Sequence, residues 1–192
     1  KAENPLAIGP YDLGCHYMEH KVQQAEAMKG AKKRILEVAA QFAALTGREY
    51  GLFEAYRMED AEIALVLIGS SAGTAKVTVD ALRARGIPAG LVKIRVFRPF
   101  PAEELAQTLK NVKALAILDK AESFSAQGGP LFAEVRAALY DLEPRPRTVG
   151  YVYGLGGRDI TPAHFASVFA RLEAIAAGGE LGPVYSHLGQ RG

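Results

Sequence analysis

Residues 61–82 read AEIALVLIGSSAGTAKVTVDAL, and the rest of the chain can be laid out around them. From Ile63 to Ile68 every position is apolar and half are β-branched, the pattern of a strand covered on both faces rather than one with a wet side. Such strands belong to parallel or mixed sheets lying between helix layers. Gly69 closes the strand, Ser70 or Ser71 is placed to cap the next helix, and Ala72, Ala75, Val79 and Leu82 recur at helical spacing. The unit is strand, tight turn, helix, and α/β proteins use such turns to present backbone N–H groups to phosphate. Gly69, Ser70, Ser71 and Thr74 are therefore candidates for an anion seat. The turn lacks the lysine of a Walker loop and the third glycine of a dinucleotide fingerprint, so a plain connection with no ligand is the competing reading.

A chain of 192 residues fits one sizeable domain with an appendage, or two small domains, and 49% apolar composition is enough for a true core. Net charge is +2, with basic residues dispersed except at Lys32-Lys33-Arg34, which reads as a solvated helix face. Neither a nucleic acid nor a membrane surface is expected as a partner. The single Cys15 rules out an internal disulfide framework, and without a Cys/His cluster no iron–sulfur or structural zinc site is expected within the chain. A reducing cytoplasm fits this usage. No segment has the apolar length of a membrane span, and no signal-peptide pattern is present. The chain opens Lys1-Ala2-Glu3-Asn4-Pro5 without an initiator Met and is expected to be a piece of something longer.

In chain order, residues 1–14 carry Pro5, Gly9, Pro10 and Gly14 and should form an irregular connector. From Tyr17 to Thr46, Met28, Ala31, Ile35, Val38, Phe42 and Leu45 recur at spacings of three and four, placing them on one face of a long helix that Gly47 stops. Unbroken, it would run roughly 45 Å, so it is expected either to reach beyond its own domain or to break near Gly30. Residues 48–58 read as an extended segment or short strand beside the sheet. Further strands are expected at 90–97, 112–118 and 148–153, with helices at 102–110, from Pro130 onward, and at 162–177, the last with Thr161-Pro162 as N-cap and first helical residue. Strands alternating with helices predict a three-layer α/β/α domain with a mostly parallel mixed sheet over residues 48–178. Residues 1–47 form its linker and long helix, and residues 179–192 a tail that needs a partner to be ordered.

Chemistry in such a sheet belongs at the carboxyl ends of the strands. The polar groups landing there are Ser70, Ser71 and Thr74, then Arg98, then Asp119 and Lys120, then Arg158 and Asp159. Asp119 beside Lys120 could be an acid next to a cation. Adjacent residues at a strand end point to opposite faces, however, which favours a cap or salt bridge. Arg158-Asp159 could clamp a carboxylate or phosphate, or Asp159 could lock the start of the last helix by accepting backbone N–H groups near Thr161. His16 and His20 have metal-pair spacing but no accompanying H-E-x-x-H arrangement, and read as surface histidines. From the residues alone this is an α/β module with no assembled catalytic set.

Beyond these elements, Tyr17-Met18-Glu19-His20-Lys21, Leu45-Thr46-Gly47-Arg48, Ile68-Gly69-Ser70, Phe97-Arg98-Pro99-Phe100-Pro101, Leu118-Asp119-Lys120, Gly129-Pro130-Leu131 and Tyr153-Gly154-Leu155-Gly156-Gly157-Arg158-Asp159 follow one another in an order and spacing that resembles the α chain of pyruvate:ferredoxin oxidoreductase and its 2-oxoacid relatives. The resemblance covers nearly the whole chain. It implies a transketolase C-terminal-like domain that follows a thiamine-diphosphate-fold domain in the same polypeptide. It also implies an enzyme that decarboxylates a 2-oxoacid oxidatively, passes electrons through [4Fe-4S] clusters to ferredoxin and captures the acyl group on coenzyme A. Thiamine diphosphate, Mg and the clusters would sit in other domains or subunits, so no catalytic or metal-binding residue and no bound cofactor is expected here. Lys120 stands where the resemblance leads one to expect Arg, which keeps the charge but loses the planar fork. The implied role is a non-catalytic assembly domain. The alternatives are a module binding an anion or coenzyme A through residues 69–74, and a flavodoxin-like interaction protein unrelated to oxidoreductases.

Overall fold

A computed structural model of the chain describes Glu3, residues 13–124 and residues 127–191; most of the connector expected at residues 1–14 lies outside the described residues. The elements are α1 (Tyr17–Thr46), β1 (Phe53–Tyr56), β2 (Ile63–Ile68), α2 (Ser71–Arg83), β3 (Ala89–Ile94), α3 (Ala102–Leu109), β4 (Ala114–Asp119), α4 (Pro130–Leu139), β5 (Arg147–Tyr153), α5 (Pro162–Ala176) and β6 (Tyr185–Leu188). The six strands form one sheet in the order β1-β3-β2-β4-β5-β6, with β1 antiparallel to β3 and every other pairing parallel. The expected α/β/α architecture is the observed one.

Period-two alternation along each strand divides the core into two layers. Ile63, Leu65 and Leu67 of β2 meet Ala75 and Val79 of α2 and Phe165, Phe169 and Leu172 of α5 on one face. Ala64 and Val66 meet Leu105 and Leu109 of α3 and Phe132 and Val135 of α4 on the other. β2 is therefore covered on both sides, as its unbroken apolar run requires. Each fully buried Leu, Val or Phe contributes roughly 1.5–3 kcal/mol relative to exposure. The crossovers β2-α2-β3, β3-α3-β4 and β4-α4-β5 share one hand, because the direction of travel and the helix face reverse together after the first. The last one, β5-α5-β6, advances like β4-α4-β5 but carries its helix on the face of α2, and so has the opposite hand. The reason is coverage: α2 cannot shield its face alone, and α5 lies back over β2 and β4 beside it.

One expectation changes, and one pair of alternatives narrows. The tail beyond residue 178 supplies β6, which pairs with β5 from Gly150↔Tyr185 to Tyr153↔Leu188; it needs no partner to be ordered, because β5 offers it a free sheet edge and Tyr185 packs by Phe132 at 6.3 Å between ring centroids. And α1 runs through Gly30 unbroken to Gly47, whose left-handed φ of 68° lets its N–H reach the carbonyl of Ala43 at 2.8 Å. Met28, Val38, Phe42 and Leu45 are exposed, and no residue of α1 is buried. Lys32 ties it to α3, bonding Glu103 at 2.8 Å and Glu104 at 3.1 Å, and Phe42 packs by Tyr50 at 5.7 Å between ring centroids. Glu103 foremost raises the pKa of Lys32, and Lys32 lowers that of Glu103.

Candidate functional site at the carboxyl edge

Because β2 to β6 are mutually parallel, their carboxyl ends share one edge, and the chain reverses direction across the sheet between β2 and β4. Open α/β sheets bind ligands at such a switch point. A crevice of about 400 Å³ sits there, lined by Ile68, Gly69, Phe97, Leu118, Lys120 and Pro130 among others. A second cavity of about 350 Å³ lies farther along the edge, between the ends of β5 and β6, and is lined by Tyr153, Gly154, Leu155, Arg158 and His187 among others.

The candidate residues divide between the two. Gly69, with φ of 91°, makes the turn out of β2 and lines the first cavity. Ser70 occupies the N-cap position of α2 but has helical φ and ψ and makes no side-chain cap, so the expected serine cap is not formed. Ser71 is buried instead of reaching the helix end. Thr74 stands in the second turn, where its carbonyl is approached by the Thr78 hydroxyl at 3.5 Å. Arg158 lines the second cavity and donates to the carbonyl of Gly189 at 2.8 Å. Asp159 is exposed and does not lock α5. That task falls to a reciprocal box in which Thr161 and His164 satisfy each other's backbone N–H groups. The two turns lie on strands separated by β4, about 10 Å apart, and share no cavity.

Asp119 is a cap. Its side chain points to the α4 face, where its two oxygens accept the backbone N–H groups of Leu131 at 2.9 Å and Phe132 at 3.0 Å. Burial pushes its pKa up, and the two N–H bonds only partly offset this. A Cβ at Gly129 would stand 2.3 Å from the Asp119 carboxyl carbon, so this position admits only glycine without a backbone shift. Lys120 takes the opposite face, its ammonium 5.4 Å from the ring centroid of Tyr153. The Tyr153 hydroxyl is buried with no hydrogen-bond partner among the described residues. Burial raises its pKa; Ser71 is near enough to temper the rise but stands outside bonding geometry. Arg98 is held by Glu134 of α4 at 2.6 Å.

One cluster escaped the sequence reading. Glu122, just past β4, accepts from the Tyr185 hydroxyl at 3.1 Å and pairs with His187 Nε2 at 3.0 Å. His187 foremost lowers the Glu122 pKa, while burial and the Glu122 bond push Tyr185 up to about 12. The available signal was the alternation of Tyr185 and His187 with Val184, Ser186 and Leu188 after Gly182-Pro183, which is strand-like.

Residues 61–165, more than half of the chain and spanning β2 to the start of α5, match the family model described as pyruvate:ferredoxin oxidoreductase core domain II. This chain belongs to that family. As a core domain II, it is 48% identical over 167 residues to the pyruvate synthase subunit PorA of Thermotoga maritima, which covers 87% of this chain and 42% of that protein. It is 39% identical over 180 residues to the ketoisovalerate oxidoreductase subunit VorA of Pyrococcus horikoshii, covering 93% and 45% respectively. The chain thus spans about two fifths of the length of the curated relatives it matches. Among solved structures, a 2-oxoglutarate:ferredoxin oxidoreductase from Magnetococcus marinus aligns over 87% of this chain and 24% of its own, at TM-score 0.51 and 18% identity. A split-gene transketolase aligns over 65% and 43%, at TM-score 0.50 and 18% identity. These two likenesses are of fold, and they match the transketolase C-terminal-like expectation. Family membership removes the alternative of an interaction protein unrelated to oxidoreductases.

Proposed function

We propose that core domain II here is a non-catalytic assembly domain of the α subunit of a 2-oxoacid:ferredoxin oxidoreductase, with pyruvate as the first substrate to test and acetyl-CoA, CO2 and reduced ferredoxin as products. It packs against the thiamine-binding part of its own subunit and against the iron–sulfur subunits, in a cytoplasmic complex. The observation that carries this reading is the engagement of the carboxyl-edge polar groups in structural bonds: Asp119 on the start of α4, Arg98 on Glu134, Glu122 on Tyr185 and His187. An edge built this way holds its loops in place for a neighbour. The exposed apolar residues Ile68 and Phe124 near the same edge, and those of α1, supply surface for that neighbour.

The residues present do not fit an iron–sulfur cluster of such an enzyme. A cluster needs thiolates, commonly four, and this chain has Cys15 alone. Among the described residues no three His, Cys, Asp or Glu side chains converge on a metal position. In this proposal thiamine diphosphate, Mg, the [4Fe-4S] clusters and coenzyme A belong to the rest of the assembly. Mixing this chain with the separately produced remainder of its subunit, followed by sedimentation, tests the reading. Co-sedimentation at equal stoichiometry is expected, and two independent boundaries at all concentrations would overturn it.

A second reading has one observation in its favour. The turn out of β2 at Gly69 lies beside the switch-point crevice at the N-terminus of α2, although Ala72 and Gly73 there already donate to the carbonyls of Gly69 at 3.4 Å and Ser70 at 3.0 Å. Calorimetric titration with coenzyme A separates the two: the assembly reading expects no binding below millimolar concentration, and micromolar binding would favour an anion module.

A further inference from the structure

The cavity between β5 and β6 is not accounted for by the assembly role. Its volume of about 350 Å³ falls within the range of small-ligand sites. Arg158 is fixed there through a single nitrogen, which donates to Gly189, and no carboxylate pairs with its guanidinium among the described residues. His187 lines the same cavity with Nε2 engaged by Glu122, so Nδ1 is the ring nitrogen left for a ligand and donates to a carboxylate when the ring carries both protons. The backbone turns through Gly154 and Gly156, both left-handed, around Leu155, a geometry that converges N–H groups on a concavity. Val152, Leu155 and Leu188 complete the walls with apolar surface. A planar two-oxygen anion suits the remaining guanidinium fork, and the apolar walls suit a short aliphatic group attached to it.

We infer that this cavity is a binding site for a small aliphatic carboxylate, held by Arg158 with His187 positioned by Glu122. It stands on the cavity and its two nitrogen-bearing side chains, independently of the assembly role. The site is a receptor for such an acid and performs no bond-making step on it.

The test is a chemical-shift titration of the 192-residue chain with sodium pyruvate, sodium 2-oxoisovalerate and, separately, inorganic phosphate. Expected are saturable shifts confined to residues 152–158 and 185–190 with either carboxylate, at millimolar concentration, and weaker or no response to phosphate. Arg158→Leu should weaken carboxylate binding about tenfold. Because that change also removes the bond to Gly189, Leu155→Trp provides a second variant. Leu155 is exposed and lines the cavity, so the larger indole is expected to occupy it without removing a side-chain hydrogen bond. Loss of binding in Leu155→Trp with an unchanged melting curve supports the site. Absence of saturable shifts, a phosphate response equal to the carboxylate response, or carboxylate binding untouched by both substitutions would overturn it.

Discussion

Replacing Asp119 by alanine separates a structural carboxylate from a catalytic one. The substitution removes the two acceptors of the Leu131 and Phe132 N–H groups, bonded at 2.9 and 3.0 Å in a buried setting. Leaving a buried N–H unsatisfied costs about 1–3 kcal/mol, and loss of an N-terminal cap about 0.5–2 kcal/mol. Against this, the variant no longer buries a carboxylate whose pKa is raised by desolvation, so the net loss is placed at about 2–3 kcal/mol. For a chain of this size each kcal/mol moves the melting temperature by about 2–4 °C, giving a fall of about 5–10 °C. Asp119→Asn keeps one acceptor but turns an amide toward the second N–H, and should lose about half as much. Urea and thermal unfolding followed by circular dichroism provide the assay. An alanine variant within about 0.5 kcal/mol of the parent would refute the cap and return Asp119 to the list of groups free for chemistry.

A methyl group at Gly150 would stand 2.8 Å from the Phe132 ring, so Gly150→Ala should cost about 1–3 kcal/mol through overpacking. Adding Phe132→Leu should recover part of that loss, a coupling that a double-mutant cycle measures. Tyr153→Phe removes a buried hydroxyl that has no partner among the described residues. Its stability should equal or exceed the parent's by up to about 1 kcal/mol, and a clear loss in chemical denaturation would mean the hydroxyl is satisfied. Glu54 is bonded by Lys76 and Arg95, and Lys76 foremost holds its pKa below the ordinary 4.5. The folded state then binds fewer protons than the unfolded state between the two values, so this stabilisation is complete above about pH 4.5 and fades as pH falls through the lowered folded value. Glu54→Gln should therefore flatten the acid limb of the stability–pH curve relative to the parent, and parallel limbs would contradict it.

Sequence made the sheet legible wherever a strand is buried on both faces, because a run such as Ile63 to Ile68 has few other solutions in a chain of alternating elements. The short edge strands were harder. β1 could be placed only within residues 48–58, and β6 was hidden in four residues between glycines, where stability comes from pairing with β5 rather than from local pattern. Helix starts were legible where a proline marks them, Thr161 and Pro162 opening α5 and Pro130 opening α4 as expected, but the capping partners were not. The serines before α2 have capping chemistry, yet Ser70 is already helical and Ser71 is drawn into the core. At α5 the cap partner is His164, a residue type outside the usual Glu or Gln of a capping box. At the carboxyl edge, the reading that Asp119 and Lys120 point to opposite faces holds in the structure. The cluster of Glu122, Tyr185 and His187 could not be read, since it joins residues more than sixty positions apart through a strand that was not foreseen.

The most direct test of the central claim, that this domain supports chemistry performed elsewhere, is release of labelled carbon dioxide from carboxyl-labelled pyruvate. The purified chain would be supplied with thiamine diphosphate, magnesium, coenzyme A and an electron acceptor, first alone and then together with the remainder of its subunit and the partner subunits. The account predicts background release from the chain alone and turnover only in the assembled mixture. Thiamine-dependent release by the isolated chain would contradict it.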